Sequence, residues 1–464
     1  MNLARTTVAI LGAAFCLNAQ FPDLTPATPL IGAALRGDTV EVKRLLADGA
    51  NPNEARFLGF APVFLPIFQQ NAEILREMVK KGADIKATDP AGSTTLMWAA
   101  YNEAGKTELV NELLRLGVDP NQKNKAGETA MTWALRRGYT PVVDALKNGG
   151  ATDAEMIKEA VVKAVASLQK SAPQFVKVSG CTSCHHQSLP QMAIGIARER
   201  GLPVDEELSK QQIKAVIAMF KPMRELMLQG TEKIPDPAIS VSYALVGLAA
   251  EGQTSDPTID AMTHLVSTRQ LPDGRFPALS MRPPLESSDF TATALSLRSL
   301  QVYGKNSGEQ VAKAREWLRT AEPRTNEDRA MRLLGLIWSG AEAEDLQKAA
   351  RSIVAEQQPD GGWAQLGTLQ TDAYATGQAL VALRWSGQVA VSDAAYQRGV
   401  AYLLRTQLSD GSWLVRSRSF PFQPYKESGF PHGKDQWISA SGTSWAAMAL
   451  GLTAPRVGHE VSGF

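Results

Sequence analysis

The chain has 464 residues, which is long enough for two or three domains with cores of their own. Its formal net charge of +1 gives no basic field that would attract nucleic acid or an anionic membrane surface. Hydrophobic residues make up 44% of the chain, an ordinary share for a globular protein. Beyond the N-terminus, no uninterrupted apolar stretch reaches the ~18 residues that a membrane-spanning helix needs.

The first 19 residues are typical of a secretory signal peptide. Arg5 supplies a positive charge, residues 7–17 form a short apolar stretch, and Ala19 ends a cleavage site before Gln20. The apolar stretch is too short to span a bilayer, so we expect cleavage and a periplasmic or secreted protein. An uncleaved membrane anchor is the alternative.

Residues 28–151 repeat with a period of about 33. Each unit closes on a glycine, and these glycines are Gly49, Gly82, Gly117 and Gly150. Glycine suits the end of a helix because it adopts the left-handed conformation without strain. The pattern resembles ankyrin repeats, in which pairs of short helices bury their apolar faces by stacking on neighbouring pairs. The resemblance implies about four repeats and a docking surface for a protein partner, with a structural cap on the next domain as the alternative.

From residue 153 to about 455, long amphipathic segments alternate with apolar segments rich in small residues. We predict outer helices near 153–170, 205–228, 257–270, 308–320, 343–357 and 394–407. We predict inner helices near 187–200, 238–251, 288–302, 327–340, 371–386 and 441–453. The alternation fits a closed ring of six helical hairpins, followed by a tail at 456–464.

Three predicted turns share glutamine, Asp-Gly and an aromatic residue. They run from Gln270 to Phe276, from Gln358 to Trp363 and from Gln407 to Trp413. These turns resemble the QW-type repeats of the squalene cyclase and protein prenyltransferase superfamily. The resemblance implies an (α/α)6 toroid with an apolar small-molecule ligand in its central cavity. The predicted fold is therefore all-α, an ankyrin repeat solenoid followed by an (α/α)6 toroid.

The segment Cys181-Thr182-Ser183-Cys184-His185-His186 carries the sharpest chemical signal. A Cys-x-x-Cys-His run in an exported protein is typical of covalent haem c attachment, with thioethers from both cysteines and His185 as an iron ligand. Zinc held by the same residues is an alternative cofactor. A redox-active or structural disulfide is another alternative.

Further candidates are expected at the same mouth of the ring, where the inner helices begin. His432 is the expected second metal ligand, with Met281 as the alternative. Asp289 and Asp372 are candidate general acids, because a partly desolvated carboxylic acid stays protonated and can donate. An aspartate at the start of a helix is also an ordinary N-cap, so capping is the competing interpretation.

The catalytic residues of the two parent enzymes are incomplete in this chain. The Asp-x-Asp-Asp cluster of the cyclases corresponds to Glu286-Ser287-Ser288-Asp289, and the Asp-x-Cys zinc pair of the prenyltransferases is missing. Whether the protein is an enzyme is therefore left open. The first hypothesis is a haem-c-bearing ligand-binding or electron-transfer module with an ankyrin docking array. The alternatives are an enzyme acting on a terpenoid or other apolar substrate, and a non-catalytic protein-interaction scaffold.

Overall fold

The computed structural model describes residues 26–101, 106–137, 140–152, 154–230, 234–420 and 425–454. The predicted signal peptide and tail, residues 1–19 and 456–464, lie outside these ranges. Within them the chain is helical and its β structure is limited to isolated bridges, which confirms the predicted all-α class. None of the described helices is long and apolar enough to cross a membrane. The chain divides into two compact units, Met1–Asp153 and Ala154–Phe464.

The N-terminal unit contains pairs of short helices. In chain order they are α1 (Pro29–Arg36) and α2 (Thr39–Ala47), α3 (Phe64–Phe68) and α4 (Ala72–Lys80), α5 (Thr95–Ala100) and α6 (Glu108–Arg115), and α7 (Ala130–Leu135) and α8 (Pro141–Asn148). Thr28, Thr94 and Thr129 cap the first helices of their pairs, because each side chain accepts a backbone N–H of the first turn. Helix α3 has no side-chain cap and only five residues.

Asparagine side chains join consecutive pairs in this unit. Asn53 Nδ2 donates to the Gly82 carbonyl at 2.8 Å, and its Oδ1 accepts from Asp84 N at 2.8 Å. Asn121 makes the same two bonds two repeats later, to the Gly150 carbonyl at 2.9 Å and from Thr152 N at 2.6 Å. The spacing of the repeats is thus fixed by side-chain bonds as well as by apolar stacking.

The C-terminal unit is built from helical hairpins. In chain order its helices are α9 (Ala154–Ser179), α10 (Leu189–Glu199), α11 (Glu206–Phe220), α12 (Arg224–Leu228), α13 (Pro237–Ala250), α14 (Pro257–Ser267), α15 (Asp289–Tyr303), α16 (Gly308–Thr320), α17 (Asn326–Trp338), α18 (Ala343–Val354), α19 (Ala373–Ser386), α20 (Ala394–Thr406) and α21 (Gln436–Gly451). The inner helices are α10, α13, α15, α17, α19 and α21, and the outer ones are α9, α11, α14, α16, α18 and α20.

The inner helices close into a ring. Helix α10 packs on α13, α13 on α15, α15 on α17, α17 on α19, α19 on α21, and α21 packs back on α10. Small residues permit this approach: a Cβ added to Gly377 in α19 would lie 2.5 Å from the Trp445 carbonyl carbon of α21. The helices thus form the closed six-hairpin arrangement that the alternating sequence pattern predicts, and we call this unit the helical ring.

The three glutamine turns share one set of hydrogen bonds. In each, glutamine Nε2 donates to the carbonyl of a turn glycine and to a carbonyl in the following outer helix. The sets are Gln270 with Gly274 and Gln310, Gln357 with Gly361 and Ala395, and Gln407 with Gly411 and Ala160. The bond from Gln407 to Ala160 joins the last outer helix to the first. In the second turn the structural equivalent is Gln357, whereas the sequence pattern indicates its neighbour Gln358.

Three predicted helices differ from the structure. The predicted outer helix at 205–228 is divided, because a 3-10 turn at Lys221–Met223 separates α11 from α12. Helix α9 continues through Pro173 to Ser179, about nine residues beyond the predicted end near 170. Proline removes one backbone donor, but packing compensates here, since Phe175 lies against the histidine rings described below. Helix α21 begins at Gln436, before the predicted start at 441.

Candidate functional site

The Cys-x-x-Cys-His-His segment leads directly into inner helix α10. Cys184–Ser188 form one π-helical turn, which Ser183 caps by accepting a hydrogen bond from His186 N at 3.2 Å. Both cysteines are free thiols, with Cys181 half-buried and Cys184 buried. The segment therefore lies at the mouth of the ring, the end at which the inner helices begin.

The Cys184 thiol contacts a carboxylic acid that precedes α15. Cys184 Sγ donates to Glu286 Oε1 at 3.6 Å, and Glu286 also forms an ion pair with Arg282. Burial, and after it the Glu286 charge, raises the pKa of Cys184 well above its ordinary value. Burial likewise raises the pKa of Glu286. Cys184 is therefore a protonated donor at neutral pH and lacks the thiolate that nucleophilic chemistry needs.

The two histidine rings belong to an aromatic cluster. His185 stacks on Trp437 with ring centroids 5.2 Å apart, and His186 stacks on Phe175 at 4.7 Å. The Nδ1 atoms of the two histidines are hydrogen-bonded to each other. Burial lowers the pKa of His185, and lowers that of His186 to about 3. Both rings are consequently neutral at pH 7.

The two histidines also contact the long segment that connects α20 to α21. His186 Nε2 lies 2.8 Å from Ser428 Oγ, and Ser428 N donates to Gln436 Oε1 at 2.7 Å. Tyr425 also stacks on Trp437, with ring centroids 6.3 Å apart. We call residues 425–437 the mouth segment. Its attachment to the Cys-x-x-Cys-His-His segment is the clearest role that the contacts assign to the two histidines.

The observed packing does not fit a haem at this segment. A Trp437 face and the Phe175 edge cover the His185 ring, while the Cys184 sulfur is enclosed beside Glu286. The cleft beside His186 has room for about one water molecule, which is far too little for a haem. Haem attachment would require this segment to open.

The expected second ligands lie apart from the motif. His432 Nε2 is 2.7 Å from Ser412 Oγ, and its ring packs against Phe430. Met281 is 79% exposed. In the described part of the chain, no three His, Cys, Asp or Glu side chains lie close enough to share a metal ion. A different sulfur reaches the motif: Met219 Sδ accepts from Thr182 N at 3.2 Å and from Thr182 Oγ1 at 2.8 Å.

The two predicted acids have different environments. Asp289 pairs with Arg275 and accepts from Ala278 N at 2.8 Å, so its carboxylate has a cation and a backbone donor. Asp372 is the N-cap of α19, accepting from Ala375 N at 2.9 Å. Burial raises the pKa of Asp372 to about 6. Both aspartates thus have contacts that a structural role explains, as the capping interpretation anticipated for Asp372.

A third carboxylic acid, Glu327, is buried among side chains of the neighbouring inner helices α15 and α19. It is only 4% exposed, and its Oε1 accepts from Thr291 Oγ1 at 2.7 Å. Its Oε2 accepts from Tyr374 Oη at 3.0 Å and from Gln378 Nε2 at 2.9 Å. Burial outweighs these bonds and raises the pKa of Glu327 to about 7. The sequence feature that could have indicated Glu327 is its position in the first turn of an inner helix. Several other acids share such a position, so the feature is not specific.

Aromatic side chains from other inner helices complete this site. Tyr243 from α13 is fully buried, and its pKa is raised by burial and then by Glu327. The Tyr374 and Trp445 ring centroids are 6.4 Å apart. We call Tyr243, Thr291, Glu327, Tyr374, Gln378 and Trp445 the axial cluster. It joins side chains from α13, α15, α17, α19 and α21.

In the N-terminal unit, a row of rings runs across successive helix pairs. Phe60 and Phe68 both contact Trp98, at 5.5 and 5.2 Å between centroids. Trp98 contacts Trp133 at 5.3 Å, and Trp133 contacts Tyr101 at 5.6 Å. We call these five residues the aromatic face. Tyr101 is 40% exposed, so the row reaches solvent.

Polar groups fix the orientation of the aromatic face. Trp98 Nε1 donates to Asp89 Oδ2 at 2.9 Å, and Trp133 Nε1 donates to Glu128 Oε2 at 2.8 Å. The Arg137 guanidinium lies 3.9 Å from the Tyr101 ring centroid. The indoles are therefore held in fixed positions, and the face already accommodates one stacked cation.

Comparison with known families identifies part of the chain. Residues 91–174 match a family model described as ankyrin repeats, in three copies. The match includes α5 to α8 and most of α9, and it confirms the predicted ankyrin repeats from residue 91 to residue 151. Its last part, up to residue 174, lies where the sequence pattern predicts the first outer helix of the ring. The likeness of the helical ring to the cyclase and prenyltransferase superfamily stays a prediction based on its turns.

Proposed function

We propose that the protein docks to a protein partner through the aromatic face of its ankyrin repeats. Ankyrin repeats form a protein-interaction module, which is the general function supported by the family match. The observation that carries the finer proposal is the continuous row of ring contacts that ends at the exposed Tyr101. Rigid aromatic side chains are the residue type most often responsible for binding energy at interfaces.

The face favours a partner segment that presents arginine and apolar side chains. Arg137 stacked over Tyr101 shows that a guanidinium fits against these rings. Asp89 places a carboxylate beside the Trp98 indole, whereas the Glu128 carboxylate beside Trp133 is paired with Arg136. An arginine-bearing segment would complement the rings and the Asp89 carboxylate.

The test compares variants of the full chain against a partner captured from the source cells and then purified. Tyr101→Ala is expected to weaken binding at least about tenfold, as for an interface hot spot. Val40→Ser is the matched control, because Val40 is an 80% exposed apolar residue in the same unit but outside the aromatic face. Equal losses in the two variants, or no loss in Tyr101→Ala, would rule out docking on this face.

Haem attachment stays a sequence-based prediction, and no step of the proposed function depends on it. Its test is expression in a periplasm with cytochrome c maturation, followed by absorbance spectroscopy of the denatured protein. A covalent haem predicts a Soret band that Cys181→Ser combined with Cys184→Ser abolishes. The packing around His185 and Cys184 leads us to expect no such band.

A further inference from the structure

Glu327 is a buried acid whose hydrogen-bond partners are all neutral. Thr291, Tyr374 and Gln378 donate to it, and in the described part of the chain no basic side chain lies within ion-pair distance. Ionising a buried carboxyl without a cation is costly, because neutral donors replace only part of its hydration. A positively charged ligand would therefore stabilise the ionised form of Glu327.

The neighbouring amide points to the same kind of ligand. Gln378 is fully buried, and while its Nε2 donates to Glu327, its Oε1 has no partner among the described residues. Buried polar atoms in folded proteins are nearly always bonded to protein, water or a ligand. A ligand with several N–H donors could bond both Gln378 Oε1 and the Glu327 carboxyl group.

The surrounding rings supply a third, independent feature. Tyr243, Tyr374 and Trp445 are each at most 1% exposed and come from three different inner helices. These side chains exclude water from the Glu327 carboxyl group, and a cation interacts more strongly with nearby aromatic rings when it is desolvated. The Trp445 indole nitrogen lies near the Tyr374 hydroxyl but outside hydrogen-bonding geometry.

We propose that the axial cluster binds an organic amine, with its ammonium group held by Glu327 and Gln378 among the three aromatic rings. An alcohol would satisfy Gln378 Oε1 but would leave the cost of ionising Glu327 uncompensated. An ammonium group donates to both oxygens and neutralises the carboxylate. This site is independent of the ankyrin docking surface.

Binding should depend on pH because the amine selects the ionised form of Glu327. The groups that act on Glu327 are Asp328 in the same helix turn, Tyr243 of α13, Tyr374 of α19, and Arg418. Arg418 is exposed between α20 and the mouth segment, where its Nε donates to Gln365 Oε1 at 2.6 Å. Asp328 opposes ionisation of Glu327 and Arg418 favours it. The affinity for an amine should rise from pH 6 to pH 8.

The experiment titrates the purified full chain with n-octylamine, 1-octanol and n-octyltrimethylammonium, using tryptophan fluorescence and calorimetry. At pH 8, octylamine is expected to bind at least tenfold more tightly than 1-octanol. The trimethylammonium probe keeps the charge but has no N–H to offer Gln378, so it should bind more weakly than octylamine. These three probes separate charge, hydrogen bonding and apolar burial.

Two variants place the binding at the axial cluster. Glu327→Gln should reduce octylamine affinity at least tenfold and remove its pH dependence, while leaving octanol binding unchanged. Gln378→Met should weaken octylamine binding more than trimethylammonium binding. Gln301→Met is the matched control, since Gln301 lies in inner helix α15 near its C-terminal end and bonds the Trp338 carbonyl. Thermal unfolding of each variant checks that it is folded.

The proposal is overturned if octylamine binds no more tightly than octanol. It is equally overturned if a folded Glu327→Gln variant binds octylamine as the original chain does.

Discussion

Glu327 and Asp289 are two carboxyl groups of the helical ring with different hydrogen-bond and ion-pair partners. Asp289 pairs with the Arg275 guanidinium and accepts a hydrogen bond from the Ala278 backbone N–H. Glu327 receives three neutral donors in a buried position, and burial dominates. A carboxylic acid whose pKa is raised by burial is the property that the sequence analysis sought in Asp289 and Asp372. Burial raises the pKa of Asp372 to about 6 and that of Glu327 to about 7, so Glu327 shares this property with Asp372.

Glu327 should make stability depend on pH. Its pKa is raised from 4.5 to about 7 in the folded protein, so the unfolded chain loses this proton first. The folded state then loses stability as pH rises from about 4.5 to about 7, by up to about 3 kcal/mol. Glu327→Gln should therefore become progressively more stable than the original chain between pH 5 and pH 8. Urea unfolding at four pH values measures this.

Parallel stability profiles for the two proteins would contradict that assignment. The comparison is a difference between two nearly identical chains, so contributions from His186, Asp372 and other titrating groups cancel to first order.

At the scale of elements, the Cys-x-x-Cys-His-His turn and the mouth segment stabilise each other. His186 contacts Phe175 of α9 and Ser428 of the mouth segment, and His185 contacts Trp437 at the start of α21. The sequence places a motif at the mouth of the ring but does not show which loop covers it. That pairing joins residues about 240 positions apart, and neither segment alone contains a pattern for it.

His186→Ala should loosen the mouth segment. The substitution removes the stack on Phe175 and leaves Ser428 without its imidazole partner, so local opening should become easier. We expect amide hydrogen exchange in residues 425–437 to accelerate at least tenfold, with little change in α14. His264→Ala, at an exposed position in α14, supplies the control. Unchanged exchange in the mouth segment would show that the histidines do not hold it.

At the scale of the whole molecule, the chain consists of two units that differ in the pattern of contacts between their helices. In the N-terminal unit, each helix pair contacts the next along the chain, whereas the ring closes through contacts between its first and last helices. Closure places α21 against both α10 and α19, so residues from 154 to 454 depend on one another. Each unit has its own buried core.

The two units should therefore unfold separately. A fragment of residues 154–464 is expected to fold and to melt within about 3 °C of the corresponding transition of the full chain, because its core is complete. Differential scanning calorimetry of the fragment and the full chain measures both transitions. A fragment that fails to fold, or a single transition in the full chain, would contradict this independence. Removing α21 from the fragment should abolish folding, since that helix closes the ring.

The sequence by itself determined the elements of this protein. Helical periodicity predicted most inner and outer helices to within about three residues, and repeated glycines and threonines marked the ankyrin pairs, because such signals are local. Only the tertiary structure decided the chemistry. It selected Gln357 over Gln358 and buried Cys184 against Glu286. It also brought the Glu327 partners together from several helices, because convergence on an axis depends on ring closure and not on any neighbouring residue.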